Sequence, residues 1–181
     1  MRFSSVGLAG LAALVVACSP TYNWRNVSLE GALLQAQLPC KPERAERQVP
    51  LTPAGTTLRL LSCEAGGHTF ALAGATVDAA DGQAAVLDRW QQAGWASLRQ
   101  PAGVPSGPPP GWSAWATVLA RAQHLRAWQG PGLDHQGQSV EATQLYFSHG
   151  QVVYQAAVYG PKARAADVAP FFEALRLPVA P

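Results

Sequence analysis

Polar and apolar residues alternate with a period of two along most of this chain, and helical spacing replaces that alternation in two places. Residues 24–29 read as a first short strand. Over 31–38, Leu34, Ala36 and Leu38 alternate with Leu33, Gln35 and Gln37, the pattern of a half-buried strand that Pro39 stops. A polar stretch with Glu43, Glu46 and Arg47 leads into an edge strand ending at Leu51, and Thr52-Pro53-Ala54-Gly55 reads as a turn. Residues 57–63 and 68–77 read as two more strands joined through Gly66-Gly67. In the second, Phe70 and Leu72 share one face and Thr69 and Ala71 the other. At Asp78 the spacing changes. A helix starting at Asp81 or Gly82 runs to about Arg99, with Val86, Leu87, Trp90, Ala93 and Gly94 on one stripe.

The stretch 101–111 is rich in Pro and Gly and reads as a loop thrown out from a single domain. Residues 113–129 read two ways. The lack of Pro and Gly and the several Ala favour helix, whereas the strands that follow need a partner; about 120–129 is assigned to strand. Gly130-Pro131-Gly132 is a predicted turn, 138–148 a strand with Leu145 and Phe147 on one face, and His149-Gly150 a two-residue hairpin turn. A central strand over 152–160 and a short helix over 165–175, striped by Val168, Phe171, Phe172 and Leu175, complete the chain. Runs of strands separated by a long helix and closed by a short one predict the α+β class: a mostly antiparallel sheet covered on one face by the two helices, in one domain over 24–181.

The first residues follow another logic. Arg2 supplies a positive charge, Val6 to Val16 is an almost unbroken apolar run, and small residues close it. That run is too short to cross about 30 Å of hydrocarbon, so 1–17 reads as a secretory signal rather than a membrane span. Val15-Val16-Ala17-Cys18 resembles the bacterial lipobox. The resemblance implies diacylglycerol on Cys18, cleavage before it and acylation of the new amino terminus, with 18–23 as lipidated end and short tether. Ser19 after the cysteine, rather than Asp, implies sorting to the outer membrane, facing the periplasm. Ordinary cleavage near Ala17, leaving a soluble protein, is the alternative. No later apolar stretch approaches spanning length, so the lipid alone is the expected anchor, each buried methylene contributing about 0.8 kcal/mol.

With Cys18 acylated, Cys40 and Cys63 remain as an even pair in an oxidising compartment. A disulfide is expected, its loop worth about 3 kcal/mol by chain entropy. Two reduced thiols or a redox pair are the other readings, and the chain has no Cys-x-x-Cys. Thirteen basic residues against eleven acidic ones, without a basic block, speak against a nucleic-acid partner.

Several segments together resemble a group of small lipoproteins of proteobacteria. These are the opening Tyr22-Asn23-Trp24-Arg25, the strand end Leu38-Pro39-Cys40-Lys41-Pro42, the late strand Val153-Tyr154-Gln155-Ala156-Ala157-Val158 and the helix Phe171-Phe172-Glu173-Ala174-Leu175-Arg176. The layout is also similar to the Mog1/PsbP-like sandwich. The resemblance implies a fold and no activity. The Cys40/Cys63 pair and the Pro-rich loop depart from the group's usual pattern.

No motif for catalysis, cofactor or metal emerges. His68, His124, His135 and His149 are not spaced to put two imidazoles on one face. There is no Gly-x-Ser-x-Gly elbow, and two lysines make a phosphate cradle a poor reading. Asp134 and His135, with Glu141 nearby, are the candidates for an envelope hydrolase or transferase. Trp112 and Trp115, flanking the end of the Pro-rich loop, are the candidate contact surface for a sugar, a peptide or the membrane interface. Three functions follow: a non-catalytic envelope lipoprotein binding or scaffolding another component; an enzyme built on Asp134, His135 and Glu141; or a binder of a small apolar ligand between sheet and helices, in a cavity lined by Leu72, Trp90 and Phe171.

Overall fold

The computed structural model describes residues 20–78, 81–100, 107–162 and 165–178. The signal segment, Cys18 and residues 101–106 of the Pro-rich loop lie outside the described residues. The fold is α+β, with every strand pairing antiparallel. Strands β1 (Arg25–Ser28) and β2 (Gln35–Leu38) form a separate hairpin. The main sheet has seven strands: β3 (Glu43–Val49), β4 (Thr56–Ala65), β5 (His68–Thr76), β6 (Ser113–Ala114), β7 (Gln123–Leu133), β8 (Ser139–His149) and β9 (Val152–Gly160). Their order is β3-β4-β5-β9-β8-β7-β6, two meanders joined where β9 lies beside β5. Helix α1 (Gln83–Ser97) connects the meanders, and α2 (Ala165–Glu173) follows the last strand.

The turns follow the glycines. Gly66 and Gly67 both have positive φ, as a type I′ hairpin requires. At the β8–β9 hairpin the pair His149↔Val152 closes the ladder, so the turn residues are Gly150 and Gln151, one position later than the pattern predicts.

The helices lie on opposite faces of the sheet, which corrects the expectation of one covered face. Val86, Leu87 and Trp90 of α1 pack on Ala73, Ala75, Tyr146 and Val153. Phe171 of α2, with Leu175 just beyond it, packs on the other side with Phe70, Leu72, Phe147 and the hairpin residues Leu34 and Leu38. The cause is in the central strands: β5, β8 and β9 bury side chains of both parities, and a sheet apolar on both faces needs two covers. Within α1 the buried stripe is Val86, Leu87, Trp90, Gln91 and Trp95, while Ala93 is exposed. Gln91 is buried because its Oε1 accepts from Trp128 Nε1 at 2.6 Å.

Two further readings of the pattern are settled by packing. Gly130-Pro131-Gly132 is not a turn but the end of β7, paired with Ala142, Glu141 and Val140. A Cβ at Gly130 would sit 2.5 Å from the Trp112 ring, and one at Gly132 would sit 2.8 Å from Leu98. These glycines are small because side chains lie flat on the strand. Pro131 is tolerated because β6 pairs with β7 only at Trp128 and Gln129. In the ambiguous 113–129 segment, strand prevails from Gln123 onward, after a loop and the two-residue β6.

Cys40 and Cys63 are bonded, with Cα atoms 5.9 Å apart, tying the end of β2 to β4. Among the described residues no helix is long and apolar enough to cross a membrane.

Candidate functional site

A sheet of seven strands spaced about 4.8 Å apart is about 29 Å wide, whereas the nine residues of α2 extend only about 13 Å. The β1–β2 hairpin covers the β4–β5 half on that face, and α2 covers the centre. Over β7 and β8 the cover is an irregular segment, Trp115 to Arg121, and between it and α2 a half-open groove of about 870 Å³ remains. That volume falls in the range typical of ligand sites, roughly 300–1,000 Å³.

The floor of the groove is one row across three strands: Gln129, Thr143 and Val158 are register partners. Val168, Ala169 and Phe172 of α2 form one wall, and Trp115, Val118 and Leu119 the other. Trp115 and Phe172 meet edge to face with centroids 5.1 Å apart. Val118 is 92% exposed at the rim.

Charge is spread around this apolar lining. Arg121, Lys162 and Arg176 line the groove with Glu141 and Glu173. Arg121 Nη1 donates to the Leu177 carbonyl at 3.1 Å, and Arg176 Nη1 donates to the carbonyls of Leu175 (2.8 Å) and Glu173. Among the described residues neither guanidinium has a carboxylate within ion-pair distance; the ion pairs seen there are Arg59–Glu46 and Arg126–Asp88. Arg121 itself sits in the left-handed region at φ 68°, costly for a side-chain-bearing residue, and His149 Nδ1 lies 3.2 Å from its carbonyl.

His68 also lines the groove. Its ring nitrogens lie 2.9 and 3.0 Å from the carbonyl oxygens of Gly66 and Pro161, so the buried imidazole joins the start of β5 to the segment after β9. Gly160 has no side chain because the ring occupies that space.

The predicted site residues meet different fates. Trp112 and Trp115 do not form an exposed pair. Three positions apart on nearly extended chain, they fall on opposite faces of the sheet. Trp112 is buried against Trp95, centroids 5.9 Å apart, and its Nε1 donates to Pro131 O. Only Trp115 reaches the groove. Asp134, His135 and Glu141 are not brought together: Asp134 Oδ1 accepts from the amides of Gln136 and Gln138 within the β7–β8 turn, His135 is exposed, and Glu141 alone lines the groove. The cavity expected around Leu72, Trp90 and Phe171 is closed. Leu72 and Phe171 fill one face and Trp90 the other. Among the described residues no cluster of three or more His, Cys, Asp or Glu is placed to hold a metal.

Arg121, Arg176 and the groove role of Phe172 belong to no motif in the sequence. One signal was present: Phe171 and Phe172 stand about 100° apart on the helix, so with Phe171 at the centre of the apolar stripe Phe172 lies at its edge, where it can border a groove.

No protein-family model matches this sequence, and no curated protein matches it.

Proposed function

We propose that this chain is a non-catalytic cell-envelope lipoprotein, held to the membrane through Cys18, whose domain binds a ligand or partner in the groove beside α2. The observation that carries the binding half is that groove: an amphipathic depression of ligand-site volume, rimmed by the exposed Val118 and floored by a continuous strand row. The anchor half rests on Arg2, the apolar run Val6 to Val16 and the lipobox-like Val15-Val16-Ala17-Cys18. The Cys40–Cys63 bond accords with an oxidising compartment such as the periplasm. Ser19 favours the outer membrane as destination. The finer fold reading is a Mog1/PsbP-like sandwich, supported by a central antiparallel sheet with a helix on each side.

Mass spectrometry of the mature amino terminus tests the anchor. An acylated Cys18 is expected, with Cys18→Ser protein leaving the membrane fraction; an unprocessed amino terminus in the cytosol overturns it. Pull-down from crosslinked envelopes tests binding. A reproducible partner or ligand is expected, lost when Thr143→Phe fills the floor; none in repeated trials counts against the reading.

A further inference from the structure

The groove lining specifies more than an unspecified ligand. Its apolar wall residues, Trp115, Leu119, Val168 and Phe172, flank a neutral floor of Gln129, Thr143 and Val158. At the carboxyl-terminal end of α2 two guanidinium groups, those of Arg121 and Arg176, are held against carbonyls of one short stretch, Glu173 to Leu177. Each guanidinium carries five N–H donors, and these contacts use only one nitrogen of each. A guanidinium fixed by carbonyls, with donors left over among the described residues, is suited to a carboxylate or phosphate head. Glu141 and Glu173 also line the groove, leaving a cationic excess when Lys162 is counted with the arginines.

The Tyr22 ring lies against Gly66, and the Gly66 carbonyl faces His68, which lines the groove. Three residues lie between Cys18 and Tyr22, and the four steps along the chain span at most about 14 Å. If Cys18 is acylated, as proposed above, the groove is held close to the lipid headgroups.

We infer that the groove binds single-chain anionic amphiphiles, the head held by Arg121 and Arg176 and the tail laid over Trp115, Val168 and Phe172. This rests on the groove being a binding site and adds the chemical class of its ligand.

The test uses the full chain carrying Cys18→Ser, purified without detergent, and four probes sharing a twelve-carbon tail: laurate, dodecyl phosphate, dodecyl maltoside and dodecyltrimethylammonium. Each is titrated below its micellar concentration by calorimetry and tryptophan emission. Laurate or dodecyl phosphate, or both, are expected to bind at least about tenfold tighter than the uncharged and cationic probes, the difference between the two naming the preferred head. Arg121→Gln and Arg176→Gln are each expected to weaken the anionic probes about tenfold while leaving dodecyl maltoside within about twofold. Arg121→Lys, which keeps the charge, is expected to lose less. Thr143→Phe is expected to weaken every probe with the melting temperature unchanged. Equal binding of all four heads, or indifference to both arginine substitutions with near-UV circular dichroism intact, overturns the inference while leaving the groove as a binding site. Failure of all four probes to bind overturns it outright.

Discussion

At the scale of single residues, close approach explains several choices that propensity alone does not. Gly94 stands in the middle of α1, where Ala would favour the helix by about 1 kcal/mol. A Cβ there would run into the Tyr146 hydroxyl. That phenol cannot swing away. It is fully buried, donates to Gln144 Oε1 at 3.3 Å and accepts from Gln155 Nε2 at 2.8 Å. Overpacking of this kind costs about 1–3 kcal/mol, so Gly94→Ala is expected to destabilise the protein by about 1 kcal/mol net, read as a lowered urea midpoint. An unchanged or raised midpoint contradicts the close packing of α1 on this cluster.

The same phenols set an alkaline limit. Burial pushes Tyr146 well above the usual phenol range, with Tyr159 nearby raising it further, and burial also raises Tyr154 and Tyr159. Raised folded-state values mean that the native protein holds these protons more tightly than the unfolded chain. Their contribution to stability is complete below about pH 10, the unfolded value, and is lost as pH rises beyond it. Absorbance at 295 nm is expected to show Tyr146, Tyr154 and Tyr159 ionising above the ordinary phenol range, in step with loss of near-UV circular dichroism. Ionisation of these three near pH 10 with the fold intact contradicts their burial.

Elements divide into those whose pattern is local and those set by what packs on them. Strands β4, β5, β8 and β9 were legible because alternation and positive-φ glycines act within a few residues. The Gly130-Pro131-Gly132 segment was not, because its small residues answer to Trp112 and Leu98, which come from elsewhere in the chain. The two-faced sheet was readable only in part: Phe70 and Leu72 mark one face, but nothing in the alternation marks Ala73 and Ala75 on the other as the bed of α1. The Cys40–Cys63 bridge is the pairing expected on the sequence once Cys18 is set aside as the lipidation candidate, and in the fold it ties the β1–β2 hairpin to the main sheet. A two-stranded hairpin is marginal alone. Replacing both cysteines with Ala is expected to cost about 3 kcal/mol in urea unfolding and to raise hydrogen exchange most over Arg25–Leu38. Uniform exchange across the sheet contradicts that local role.

For the molecule as a whole, the candidate site follows from incomplete coverage. One face is closed by α1, which Arg126–Asp88 and Trp128–Gln91 moor to β7. The other is shared by a short helix, a hairpin and a loop, and the groove is what they leave uncovered. The outer strand β3 is protected differently: Glu43, Arg44, Glu46 and Arg47 line an exposed edge where charge discourages pairing with another chain. The charged edge was legible in the sequence, but the groove was not, because a groove belongs to the lengths of several elements compared with one another and not to any motif. The most direct measurement is photo-crosslinking in intact cells, with a photoreactive residue at Val118 on the groove rim and, as reference, at Gln48 on the far edge. An adduct at position 118 that disappears when Thr143→Phe fills the floor is the predicted result; equal labelling at both positions, or an adduct indifferent to that substitution, contradicts the groove as the binding site.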